Sequence, residues 1–214
     1  MGAAIEIICC GNVNAYLLRG EEGSVLIDTG TAPYRERVLK ACHACSVRLI
    51  LLTHGHVDHC QNASHLAGVL GCPVGIGPKD ALLLTAGEKR RVMGRGLWGR
   101  LYAAASNWVI QHGEIPPCQP KVLLEDGTSL LPYGVDGRIV ALPGHTGGSV
   151  GVLLADGELF VGDVMQSILR PAPAWCYENP EDVEKSVDAI RRCEPSRIYY
   201  GHGKPSMGLD VLKL

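Results

Sequence analysis

Three imidazoles and a carboxylate fall within the six residues His54-Gly55-His56-Val57-Asp58-His59. Neutral imidazole nitrogen and carboxylate oxygen are the donors that zinc and other borderline divalent ions prefer. The chain has eight histidines, and three of them in a single turn is more than a solvated polar loop needs. The apolar run Leu49-Ile50-Leu51-Leu52 directly precedes the cluster. A strand that ends this way delivers several donors to one point at the edge of a sheet, and the chemistry expected there is metal binding.

Three more candidates also follow apolar runs, each beside glycine. His145 lies in Pro143-Gly144-His145-Thr146-Gly147-Gly148-Ser149, Asp163 follows Gly162, and His202 lies between Gly201 and Gly203. Glycine suits a backbone that must turn sharply or approach a neighbour closely. One histidine after a strand is more often a hydrogen-bonded loop residue. Four strand ends that each offer a donor form a constellation. Five histidines and two aspartates are enough for two ions with a position left open for water.

The elements that must position these groups are legible as alternating strands and helices. Short apolar runs at Ile5–Cys10, Ala15–Leu18 and Val25–Ile27, divided by Gly and Asn turns, predict a meander. A helix is predicted from Pro33 to about Ala44, a buried strand at Arg48–Leu52, a helix at Asn62–Leu70 stopped by Gly71, and a strand at Pro73–Ile76. Asp80–Ala86 and Leu97–Val109 read as helices. In the second half, strands are predicted at Lys121–Leu124, Ser129–Leu131, Arg138–Leu142, Val150–Leu154, Glu158–Val161 and Arg197–Tyr200. The intervening turns are of the Asp-Gly type. Pro180–Cys193 reads as a helix with Pro at its start and acids in its first turn. No linker or low-complexity segment divides the chain, so residues 1–214 are expected to form one domain around a two-sheet core with helices outside.

Composition narrows the function classes. A net charge of -2 gives no electrostatic reason to expect nucleic acid as a partner. No apolar run approaches the roughly 20 residues of a membrane helix. The N-terminus lacks a basic start followed by a long apolar core, so a cytoplasmic location is expected. Nine cysteines is an odd number, which reads most simply as reduced thiols. Cys42-His43-Ala44-Cys45 has CxxC form, but no second such pair exists, and it is read as small residues at helical spacing.

The chain resembles the metallo-β-lactamase-fold hydrolases. The resemblance is carried, in the family's order, by Ile27-Asp28-Thr29-Gly30, Thr53 to His59, Pro143 to Ser149, Gly162-Asp163 and Gly201-His202-Gly203. It implies an α/β chain folded as a four-layer αββα sandwich with its site at one edge of two mixed sheets. It further implies that His54, His56 and His145 hold one metal ion, that Asp58, His59 and His202 hold a second, and that Asp163 bridges them. Two divalent ions, Zn²⁺ first and Fe or Mn as alternatives, would share a hydroxide that attacks the substrate, with Asp58 orienting the water or taking its proton. Asp28 matches a position that supports the site by hydrogen bonding; a plain strand-end turn residue is the equal alternative.

The ligand set is most similar to the glyoxalase II and lactonase branches. That implies hydrolysis of an ester, thioester or lactone of a small molecule. Two departures matter: the arginine motif that follows the bridging aspartate in glyoxalase II enzymes is absent, and Gln166 stands near where lactonases place a tyrosine. A mononuclear iron persulfide dioxygenase on the same fold, and a phosphodiesterase or nuclease, are the alternatives. Residues 87–113 are least like the family core and are expected to form a helical lid. Its Lys89, Arg90, Arg91, Arg95 and Arg100 are read as a solvated face. Its Trp98, Tyr102 and Trp108 are read as walls of a substrate pocket or as an interface with a second copy of the chain.

Overall fold

In the computed structural model, which describes residues 2–208, three apolar layers separate two sheets and the helices outside them. The first sheet contains β1 (Ala4–Cys10), β2 (Val13–Arg19), β3 (Ser24–Ile27), β4 (Val47–Leu51), β5 (Val74–Ile76) and β6 (Val122–Leu123), in that spatial order. Its β1–β3 part is an antiparallel meander, and β3 to β6 run parallel. Helices α1 (Arg35–Cys42), α2 (Val57–Cys60), α3 (Ala63–Leu70) and α4 (Ala81–Thr85) lie in its crossovers. The second sheet contains β7 (Gly137–Ala141), β8 (Val150–Leu154), β9 (Glu158–Phe160), β10 (Arg197–Tyr199) and β11 (Ser206–Met207), in spatial order β11-β10-β9-β8-β7. Helix α5 (Gly96–His112) precedes it in the chain, and α6 (Pro180–Arg192) connects β9 to the parallel β10.

Side-chain alternation along the strands explains the layering. In β3 and β4, Val25, Ile27, Leu49 and Leu51 face the space between the sheets, where they meet Ile139, Val152 and Phe160. Their neighbours Leu26 and Ile50 face α1 and α3 and pack with Val38, Leu39 and Leu66. On the second sheet Leu159 and Ile198 point the other way, against Val183, Val187 and Ile190 of α6. Strands buried on both faces must read as unbroken apolar runs, and these do. The result is the expected αββα order.

Several boundaries differ from the sequence expectation. Ser129–Leu131 is not a strand: Ser129 makes one bridge to Arg138, and a 3-10 turn follows at Leu131–Tyr133. Pro132 removes a ladder donor there, and the Leu131 N–H is taken by Ser129 Oγ. Within the histidine cluster, Val57–Cys60 forms a single helical turn that an apolar-periodicity argument is too coarse to detect. Helix α5 is longer than expected at both ends. No helix among the described residues is long and apolar enough to cross a membrane.

Candidate metal centre

The strand ends converge. β4 leads into Thr53 to His59, β7 into His145, β9 into Asp163 and β10 into His202. Three overlapping sets of donor atoms result, each within 4.8 Å: His54, His56 and His145; His54, His59 and Asp163; Asp58, His59 and His202. His54 sits at the middle, its ring centroid 4.7 Å from both His56 and His145 and 4.2 Å from His59. The structure thus brings together all seven residues that the sequence singles out as ligands.

The outward ring nitrogen of most of these histidines is held by a protein oxygen. His145 Nδ1 lies 2.9 Å from the Cys176 carbonyl, and His202 Nδ1 lies 2.7 Å from the Asn12 carbonyl. His59 Nδ1 lies 2.8 Å from Asp28 Oδ2, and His54 Nδ1 lies 3.1 Å from Thr53 Oγ1. A proton on each Nδ1 leaves Nε2 as the lone-pair donor facing inward, the tautomer a metal ligand needs. His56 is turned the other way and presents Nδ1, 2.9 Å from His145 Nε2.

Asp28 is more than a turn residue. Its carboxylate accepts from the Thr53 N–H at 2.8 Å and from Thr53 Oγ1 at 2.8 Å, besides holding His59. It adopts φ of 58°, a left-handed backbone that costs a non-glycine residue roughly 1–3 kcal/mol. The conformation is over-determined: the Asp28 N–H also donates to Leu51 O at 2.8 Å.

Electrostatics divide the cluster. Burial, reinforced by neighbouring imidazoles, holds His54 well below its ordinary pKa and brings His56 down to about 3. Burial lowers His145 too. Burial also opposes charge on His59 and His202, but the carboxylates outweigh it. Asp163, Asp58 and Asp28 raise His59 well above its usual value, and Asp163 with Asp58 lifts His202 to about 12. The reverse holds for the acids: burial opposes their ionisation, yet His202 and His59 hold Asp163 well below the carboxylate range, and Asp58 is lowered likewise. The cluster therefore demands positive charge at its centre, which protons on His59 and His202 or divalent cations can supply.

The pattern of orphaned atoms favours cations. His54 Nε2, His59 Nε2 and Asp163 Oδ1 are buried without a hydrogen-bond partner. Each such atom costs about 1–3 kcal/mol, and all three point into the one cluster where nitrogen and oxygen donors converge. The donor set, imidazole and carboxylate with no thiolate, fits zinc, iron or manganese. Cys60 and Cys176 lie close by, but burial raises the Cys60 thiol far above its ordinary value and pushes Cys176 up to about 12. Neither is a ready nucleophile.

A groove of about 1120 Å³ lies between α5 and α6, lined by Trp98, Leu101, Tyr102, Pro173, Trp175 and Val187 among others, with none of the seven candidate ligands in its lining. Its floor is fastened to the ligands: Cys176 O holds His145, and the Ala174 N–H donates at 3.0 Å to Val164 O, next to Asp163. Burial raises the Tyr102 hydroxyl, and that hydroxyl also feels the charges of His202 and Asp163. Sequence reading anticipates Trp98 and Tyr102 as lining aromatics, but not Trp175, whose ring meets Tyr102 edge-on at 5.6 Å, or Tyr177. Trp108 lies outside the groove lining, stacked on His112.

One basic residue departs from the expected solvated face. Lys89, Arg91, Arg95 and Arg100 are exposed, whereas Arg90 is half-buried and pairs with Asp80 at 2.7 Å and with Glu178 at 3.1 Å. Asp80 and Glu178 both contact the loop that carries His145. No spacing signal in the sequence marks either acid.

Comparison with known proteins agrees with this picture. The family model described as the metallo-beta-lactamase superfamily matches residues 10–202. Uncharacterized protein YobT of Bacillus subtilis is 29% identical over 211 residues, covering 90% of this chain and 83% of that protein. The probable metallo-hydrolase MJ0888 of Methanocaldococcus jannaschii is 26% identical, covering 89% and 87%. Among solved structures, TTHA1623 in a di-iron-bound form is 29% identical with a TM-score of 0.71, covering 94% of this chain and 92% of that one.

Proposed function

The chain belongs to the metallo-beta-lactamase superfamily, and from that premise we propose that it is a dinuclear metal-dependent hydrolase of a small ester, thioester or lactone with an apolar limb. The observation that carries this reading is the overlap of the three donor sets. Asp163 groups with His54 of one outer set and His59 of the other. In this reading His54, His56 and His145 hold one ion, Asp58, His59 and His202 hold the other, and Asp163 is shared. Bound there, two divalent ions supply Lewis acidity and lower the pKa of a water toward neutrality.

The protein's own groups do the rest. Hydrogen bonds at Nδ1 fix the rings of His54, His59, His145 and His202, so little reorganisation is needed during reaction. Asp58 keeps 29% of its side chain exposed against 11% for Asp163, so it is the carboxylate that solvent reaches. We assign Asp58 Oδ the task of orienting the attacking water and accepting its proton. With no activated serine or thiol in the cluster, direct hydrolysis without a covalent enzyme intermediate is expected. The groove takes the apolar limb, because its floor, residues 174–177, is hydrogen-bonded to the ligand loops through His145 Nδ1 on Cys176 O and the Ala174 N–H on Val164 O. Zinc is the expected metal, with iron the alternative suggested by TTHA1623. A single-iron persulfide dioxygenase would leave the set Asp58, His59 and His202 without a task.

A panel of p-nitrophenyl esters, thioesters, lactones and phosphodiesters, assayed with the metal-loaded chain, tests this. Acyl substrates are expected to turn over, with kcat/KM rising by up to about fourfold per added methylene until the groove is filled. Trp98→Ala, at a position 81% exposed where folding tolerates the loss, should flatten that rise. Turnover of phosphodiesters alone would reject the reading, and a flat chain-length profile would remove the groove from it.

A further inference from the structure

We propose that Asp80 is the positioning residue of the His54–His56–His145 ion site, its buried carboxylate bracing the two loops that carry those histidines. The proposal rests on the two-ion reading above. Asp80 closes the 3-10 turn Pro78–Asp80 that follows β5, and its side chain is fully buried. Oδ2 accepts from the Gly55 N–H at 3.0 Å and from Thr146 Oγ1 at 2.6 Å. Oδ1 accepts from the Gly148 N–H at 3.0 Å and from Arg90 Nη2 at 2.7 Å.

Gly55 separates His54 from His56, and Thr146 directly follows His145. One carboxylate therefore joins the backbone between two ligands to the loop of the third. Four donors meet its two oxygens, so only an ionised acid satisfies them all; an amide would turn an N–H₂ group toward at least one donor. The surroundings are shaped for this contact. A Cβ on Gly148 would lie 2.6 Å from Asp80 N and 2.7 Å from Asp80 Oδ1, and one on Gly55 would lie 2.4 Å from Leu83 Cδ1 of α4.

Arg90 offsets the buried charge and extends the brace. Its Nη1 reaches Glu178 Oε2 at 3.1 Å, and that same oxygen accepts from the Gly147 N–H at 2.7 Å. The Glu178 N–H in turn donates to Gly144 O and His145 O. The His145 loop is thus held from both sides by acids that share one guanidinium. By contrast, His59 is held by Asp28 and His202 by Asn12, and neither imidazole touches Asp80 in the hydrogen-bond network. The effect of losing Asp80 should therefore fall on one ion and spare the other.

The test is a Co²⁺ titration of the full chain followed by visible absorption, which needs no turnover. His56→Ala and His202→Ala identify the bands of the two ions. Asp80→Asn should weaken the ion whose bands His56→Ala removes by about 10- to 100-fold, the range expected for groups that orient ligands. The other ion should stay within about threefold of wild type. Thr146→Val, which removes one donor with little change of shape, should weaken the same ion to a smaller degree and stands in if Asp80→Asn fails to fold. If wild type binds two ions and both variants bind both as wild type does, with only the melting temperature lowered, Asp80 is merely structural and the proposal is wrong. If wild type itself takes up one equivalent, it is the two-ion reading that fails.

Discussion

Asp163→Ala is expected to lower kcat by about 10³-fold, on the order of 4 kcal/mol of transition-state stabilisation, and to leave fewer than two ions bound. Asp163 Oδ2 lies 3.1 Å from His202 Nε2 and 3.4 Å from His59 Nε2, while Oδ1 is buried and unpartnered. No other described carboxylate groups with ligands of both outer sets within 4.8 Å. Removing it takes away the one described carboxylate that groups with histidines of both outer sets, so both ions would be held by fewer charges. Asp163→Asn keeps the volume and one oxygen but not the charge, and should fall between alanine and wild type. Bound metal measured by elemental analysis, together with kcat, checks both variants. Two ions and undiminished turnover in Asp163→Ala would remove the bridge from the reading.

Gly201→Ala is expected to lower activity by roughly 10²-fold, although no ligand is changed. The added Cβ would lie 2.0 Å from Asp163 Oδ1 and 2.7 Å from His59 Cε1, closer than atoms can pack. The backbone has little room to yield: the Gly201 N–H donates to Gly162 O at 2.9 Å, and Gly201 O accepts from the Asn14 N–H at 2.8 Å. The displacement must fall on Asp163 or on the His59 ring. A misplacement of about 1 Å at a reacting centre is worth about 10²-fold in rate. Gly68→Ala in α3 is the control, because its Cβ would meet nothing within 4 Å. That variant should match wild type in turnover and melt no lower, since alanine is the better helix former. Equal kinetics for the two alanine variants would show that the close approach at Gly201 has no part in the site.

The candidate ligands are legible in the sequence because each lies at or just after the end of an apolar run. The unbroken apolar runs Val25–Ile27 and Leu49–Leu51 likewise mark strands buried on both faces. What is not legible depends on contacts between distant segments. Asp80 and Glu178 are ordinary acids beside turns until folding places them 2.7–3.0 Å from the Gly147 and Gly148 amides. Arg90 looks like its exposed neighbours in a basic stretch, yet it alone among them reaches both acids. The groove brings Tyr102 of α5 against Trp175, which lies 73 residues further along the chain. The short turn Val57–Cys60 is set by the need to direct His56, Asp58 and His59 inward rather than by helix propensity, so periodicity misses it.

The most direct measurement is hydrolysis of the best acyl substrate by metal-stripped chain, followed while zinc is added and bound zinc is counted in the same samples. The dinuclear reading predicts that activity rises with the second equivalent and levels off at two ions per chain. Full activity at one ion, or hydrolysis that does not depend on metal, would contradict it.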